Sequence, residues 1–155
     1  MAKWVKKLVF YCPDYRHLGL NFGLLALRVY AGVAIAFEHG FSKIPPPPGF
    51  VTSLQEIGFM FSGLWAWGTG IIELVCGVLL AVGLAVRASS FLLANSMFLV
   101  AFVFHRDEPF ANFESALLYG MIAILYIFSG PGKFSIDRNI YRKKRSKVKI
   151  KLLDE

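Results

Sequence analysis

Seven residues able to bind, protonate or polarise a ligand interrupt an otherwise greasy chain: Arg28, Glu38, His39, Lys43, Glu73, His105 and Glu114. A carboxylate or an imidazole can hold and pass a proton, while Arg and Lys supply fixed positive donors. Each stands inside or at the edge of a long hydrophobic run. An ionisable side chain at membrane depth costs at least about 2.5 kcal/mol even on permissive insertion scales, so each is a functional-site hypothesis by default. Arg28 and His39 lie only about 20° apart on one helical face, which also carries Gly32, a position where a second helix can approach closely.

The elements that must hold these residues are membrane helices. The chain is 56% hydrophobic and 17% charged, against roughly 25% charged in soluble domains. A bilayer core of about 30 Å takes about 20 mostly apolar residues in helix. Four stretches qualify: Leu18 to Phe41, Leu64 to Val86, Ala88 to Phe104 and Phe110 to Phe128. Leu79–Val86 and Phe98–Phe104 are apolar around the whole circumference, whereas a soluble bundle helix keeps a polar face. The expected fold class is all-α, an integral membrane four-helix bundle. Trp65 and Trp67 suit an interfacial belt. Pro45 to Pro48 favour an extended polyproline stretch that stops the first helix, and Phe50 to Phe61, too short to span, reads as a short interfacial helix. Arg87 alone separates the second and third stretches, and Arg106 to Pro109 forms a polar turn between the third and fourth.

Charge sets the expected orientation. The net charge of +7 sits at the ends: residues 1–17 carry four basic and one acidic side chain, residues 131–155 nine and three, and the segment between them four and six. By the positive-inside tendency both termini and the Arg87 turn face the cytoplasm, leaving the Pro-rich loop and the 106–109 turn outside. Such a chain is not a disordered protein, a secreted disulfide scaffold or an ordinary nucleic-acid-binding domain. The basic tail after Tyr141 is expected to meet anionic lipid headgroups rather than nucleic acid. Cys12 and Cys76 form no CxxC, so no dithiol, iron–sulfur or zinc site, and no metal, is expected. Charges through Met1 to Leu20 argue against a cleaved signal peptide.

Depth groups the polar residues. Glu38, His39 and Lys43 close the first helix at the outer interface, His105 ends the third there, and Glu114 stands in the first turn of the fourth, where it can favour the helix dipole. Glu73 lies beneath them, roughly 10 Å into the core. It is expected to face the bundle interior and to meet Arg28 or the Glu38–His39 end. An Arg28–Glu73 contact reads either as a structural ion pair or as part of a ligand site. His39 and His105 at similar depth could be axial ligands of a b-type haem, but interfacial hydrogen bonding is the preferred reading. Asn95 and Ser96 are expected to bond across helices, and Gly63, Gly70, Gly77 and Gly83 to mark close packing. Gly130, Pro131 and Gly132 should end the fourth helix, with Lys133 near its negative end. Ser135 to Arg138 would then fold back on the bundle and pair Asp137 with Arg87.

Taken together, Leu27-Arg28, Glu38-His39-Gly40-Phe-Ser-Lys43, Glu73-Leu-Val-Cys-Gly77 through Gly83 with Arg87, and Ser129-Gly-Pro-Gly-Lys-Phe-Ser-Ile-Asp137-Arg138 resemble the DoxX family over about residues 20 to 140. The charge distribution sets off a basic N-terminal segment (1–17) and a basic tail (141–155), the tail a local addition to the family pattern. The resemblance implies that the domain between them (18–140) is a four-helix integral protein of the inner (cytoplasmic) membrane of a bacterium or archaeon. The family takes its name from a terminal-oxidase-associated protein and includes a subunit of thiosulfate:quinone oxidoreductase, but it is functionally heterogeneous. The leading expectation is a membrane subunit of a quinone-linked redox or respiratory assembly. A quinone, an apolar ring with two carbonyl acceptors, needs an apolar slot, a donor and a carboxylate, which Arg28, His39, Glu73 and His105 could supply. The alternative is a non-catalytic accessory or assembly subunit. Expected partners are other redox subunits or further copies of the chain, and no intrinsic cofactor is expected.

Overall fold

The structure, a computed structural model, describes residues 17–105 and 109–151, with side chains described as far as residue 143. The basic segment before His17 with Cys12, the Arg106–Glu108 part of the polar turn, and the side chains of the tail beyond residue 143 lie outside the described residues.

Among those residues the fold is helical without strands. Helix α1, Leu18–Ala34, continues through a π-helical turn, Ile35–Gly40, and a 3-10 turn, Phe41–Lys43. A short α2, Pro48–Glu56, precedes α3, Ser62–Val82. Helix α4, Val86–Leu99, also ends in a π-helical turn, Val100–Phe104, and is followed by α5, Phe110–Ser129, and α6, Ile136–Lys151. Four spans, Leu18–Lys43, Ser62–Val82, Val86–Phe104 and Phe110–Ser129, are long and apolar enough to cross a bilayer. Leu64, Phe102, Leu118 and Phe128 stand more than half exposed around the outside. In water such a surface would drive association; in a bilayer it is the lipid-facing surface. The chain is a multi-pass membrane protein.

Element ends follow local chemistry. Pro47 is the extended residue before α2 and Pro48 its first helical one, a position where a missing N–H costs nothing. The extended run is therefore one residue shorter than expected, and α2 stops at Glu56 before Gly58 at φ 86°. Helix α3 stops at Val82 because Gly83 takes the left-handed conformation at φ 79° and bonds back to Leu79 and Leu80. The turn is thus Gly83–Ala85, and Arg87 sits in the first turn of α4, its guanidinium donating to the Phe128 carbonyl at 3.4 Å.

Backbone contact locks α1 against α3. A Cβ on Gly32 would stand 2.6 Å from the Gly77 carbonyl oxygen, and one on Gly77 2.8 Å from that of Gly32. Gly40 approaches the Glu73–Leu74 backbone equally closely, and Gly70 meets Lys43. Four glycines along one seam let two helix backbones come this close, and the seam leads directly to Glu73. Gly63 departs from the close-packing expectation, with open space where a side chain would begin.

The opposite end of the bundle is closed by a polar clasp. Helix α5 ends at Ser129, and Gly130 and Gly132 take positive φ of 72° and 74°. The chain then folds back as expected, but Asp137 reaches the 83–85 turn through backbone. Its two carboxylate oxygens accept the N–H groups of Ala85 and Val86 at 2.9 and 3.0 Å, and its own N–H donates to the Gly83 carbonyl at 3.0 Å. Asp137 therefore caps α4 from a distant segment, in place of the expected ion pair with Arg87. A remote carboxylate at a helix N-terminus satisfies orphan donors and favours the dipole, which offsets the left-handed backbone of Ala85 at φ 50°.

Candidate functional site

At the end of the bundle away from this clasp, the seam between α1 and α3 brings Lys43 onto Glu73. Lys43 Nζ donates to both carboxylate oxygens, at 2.6 and 2.9 Å, and Ser96 Oγ of α4 donates to Oε1 at 3.1 Å. Glu73 is 0% exposed and Lys43 17%. The Lys43 ammonium also stands 5.4 Å from the centre of the Phe50 ring on α2, a cation–π distance. Isolated at that depth the carboxylate would be costly; the ammonium and the hydroxyl offset much of that cost.

Glu73 and Lys43 form one wall of a cavity of about 300 Å³ whose polar lining comes from all four spans or their ends and from Ser53 of α2. His39 belongs to the π-helical turn of α1 and packs edge-on against Tyr119, with ring centres 5.6 Å apart. His105 follows the π-helical turn of α4. Helix α5 contributes Asn112 and Ser115, while Phe50, Met97 and Phe104 supply apolar surface. A π turn widens a helix by one residue and re-aims the side chains after it. Two such turns, both at this end, carry His39 and precede His105.

Of the seven candidates, His39, Lys43, Glu73 and His105 meet here; the others do not. Of the two partners expected for Glu73, Arg28 is not the one it meets, because Arg28 lies at the clasp. Its guanidinium donates to the Pro131 carbonyl at 2.5 Å and the Phe134 carbonyl at 2.7 Å, and it packs on Gly83, where a Cβ would stand 2.7 Å from the guanidinium. Asn21 assists from the same helix, accepting the Lys133 N–H at 3.0 Å. Glu38 is exposed and faces a separate groove with Tyr30 and Tyr119. Glu114 is also exposed and lies beyond the first turn of α5. Asn112, Ser115 and Ala116, spaced for one helical face, line the cavity in its place, Glu114 being about 200° round from Asn112. Ser96 bonds across helices as expected; Asn95 does not, donating instead to Phe91 of its own helix at 2.7 Å.

Comparison with known proteins gives the family. The sequence model of the DoxX family matches residues 23–106. An uncharacterised Haemophilus influenzae protein is 35% identical over 81 residues, 48% of this chain and 60% of that protein. A Bacillus subtilis protein named "Putative oxidoreductase CatD" is 30% identical over 125 residues, 80% of this chain and 91% of that one. No solved structure matches the chain. With the family match spanning both Arg28 at the clasp and the His39, Lys43 and Glu73 of the cavity, the chain belongs to the DoxX family.

Proposed function

We propose that this protein is the membrane-embedded subunit of a quinone-linked oxidoreductase assembly, and that the cavity between Glu73, Lys43, His39 and His105 takes the quinone headgroup. The observation that carries the reading is a wholly buried carboxylate, salt-bridged at 2.6 Å and lining a cavity with two imidazoles and two aromatic rings. Quinone carbonyls need donors, which Lys43, His39 and His105 supply. Reduction to the quinol takes two electrons and two protons. The electrons come from a redox group on a partner subunit, and the Glu73–Lys43 pair with its neighbouring histidines offers the proton-holding atoms. A cavity of about 300 Å³, at the small end of ligand pockets, suits one substituted ring better than a porphyrin held between His39 and His105. The relative named as an oxidoreductase supports the same reaction class. The test is photolabelling of native membranes with an azido-quinone followed by peptide mapping. Label on peptides containing residues 39–53 or 97–116 is expected; label confined to the Arg28 end would overturn the assignment.

A second reading, a non-catalytic assembly subunit, is favoured by one feature: Glu73 is already satisfied within the chain by Lys43 and Ser96.

In this reading the protein sits in the inner membrane with both ends cytoplasmic. The supporting observation is that Arg138, Arg142 and Lys143 on α6 stand beside exposed Ile136, Ile140 and Tyr141, the composition of a helix meeting anionic headgroups. Gly49→Cys should react with an impermeant maleimide on intact cells, and Asn139→Cys only after permeabilisation. The reverse pattern would invert the topology.

A further inference from the structure

A second cavity, of about 210 Å³, lies beside the first beneath α2, and its lining is almost wholly apolar: Leu54, Phe59, Gly68, Ile72 and Leu99 are among its walls. Only one side chain thickness separates the two. Phe104 lines both, and its ring stacks with Phe50 of the polar cavity at 5.3 Å and with Phe59 of the apolar one at 6.5 Å. Ser96 faces the apolar cavity and donates its hydroxyl through the wall to Glu73. The rim includes Trp65 and Leu92, 53% and 44% exposed on the lipid-facing surface.

We infer that the ligand of this protein is an amphipathic molecule, a polar ring carrying an aliphatic tail, and that the apolar cavity seats the first segment of that tail while the polar cavity holds the ring. The inference rests on the headgroup assignment above and extends it to substrate class. A ring without a tail would leave an apolar cavity next to its site unused, and a simple lipid would have no use for the buried carboxylate. Trp65 to Ile72 covers about 10 Å of helix, so the cavity runs down from the interface, as a tail continuing into the bilayer requires. The ligand then enters sideways from the membrane, past Leu92 and Trp65, with Phe104 as the partition its ring must pass.

Gly68 offers a clean test. It lines the apolar cavity, its φ is not positive, and nothing lies within 4 Å of where a Cβ would stand. Gly68→Leu therefore fills the tail cavity without touching Glu73, Lys43 or the histidines, and Leu92→Trp plugs the same cavity from α4. Gly19→Leu, equally open but at the N-terminal end of α1, is the control. Displacement of the azido-quinone from the full chain in nanodiscs would be measured with two competitors sharing one dimethoxy-methyl-benzoquinone ring, one tailless and one bearing a decyl chain. Both plugging variants should weaken the decyl compound at least about tenfold, equivalent to about 1.4 kcal/mol, and change the tailless ring less than twofold, with the control unaffected. If the variants shift neither compound, a lipid chain or nothing occupies the cavity and the inference falls. If they weaken both equally, the effect is on the headgroup site and the inference again falls. If the unmodified protein is labelled but neither ring competes, the headgroup assignment itself fails. Melting temperatures of the variants report folding, and the unshifted tailless ring confirms an intact polar site.

Discussion

Replacing Arg28 by methionine should cost this protein about 3 kcal/mol or more of stability and release the segment after α5 from the bundle. Arg28 is 2% exposed, and its two planar donors hold the Pro131 and Phe134 carbonyls, more than a hundred positions away in sequence. A hydrogen bond to a charged donor contributes roughly 1.5–3 kcal/mol, and both carbonyls belong to a non-helical break that offers them no backbone partner. Methionine preserves the length and apolar stem but leaves the oxygens without the guanidinium. The expected result is a melting midpoint in detergent lowered by about 10 °C, with new tryptic cleavage at Lys133 and Arg138. Arg28→Lys should fall between, since an ammonium keeps the charge but not the fork. A methionine variant that melts with the parent and resists trypsin equally would show that the clasp is held by Asn21 and Asp137 without Arg28. Because the clasp lies at the other end of the bundle from Glu73, residual folded Arg28→Met protein should still bind quinone.

The four spans were legible because each is an apolar run of the length a bilayer demands; their ends moved by two residues or fewer except at Val82, where Gly83 ended α3 four residues before Val86, and outside the spans Pro48 drew the short α2 one residue into the proline run. The break at Gly130–Gly132 was legible for the same reason. The partner of Arg28 was not. Depth and charge pointed to Glu73, but a guanidinium is equally well satisfied by carbonyls that a proline and two glycines free from helical bonding, and sequence spacing does not reveal which such break folds back to meet it. Glu73 meets the end of α1 as expected, through Lys43 rather than through His39 or Glu38, because the Gly32, Gly40 and Gly77 seam draws that end onto α3. The motifs that looked like one constellation are in fact two. Arg28, Gly83, Pro131 and Asp137 close one end of the bundle, and His39, Lys43, Glu73 and His105 build the cavity at the other. The two π turns left no sequence signal, and charge drew attention to Glu114 when the one-face spacing of Asn112 and Ser115 was the better guide.

The larger effect is expected at Glu73, and it separates a proton-handling quinone site from structural glue. Glu73→Gln keeps the shape and can still accept from Lys43 and Ser96, but it cannot exchange a proton and leaves an ammonium without its counter-charge. Breaking a buried ion pair by removing one partner costs about 3–5 kcal/mol; the 17% exposure of Lys43 places the expected loss toward the lower figure. A drop in turnover alone would therefore be ambiguous, because poorer folding lowers turnover too. The double substitution Lys43→Met with Glu73→Leu removes the ambiguity. Exchanging a buried pair for apolar groups of similar volume is often neutral or stabilising, so this variant should melt at or above the parent while lacking both the acid and the ammonium. If the pair handles quinone protons, quinone-dependent turnover of the purified assembly should fall at least about 100-fold in Glu73→Gln, the scale of a lost general acid or base, and stay there in the restabilised double variant. If the pair only joins α1 to α3, the double variant should recover both melting temperature and turnover, and the assembly reading would replace the catalytic one. The two readings thus give opposite results in a protein that is equally well folded under either, which makes turnover in the double variant the deciding measurement.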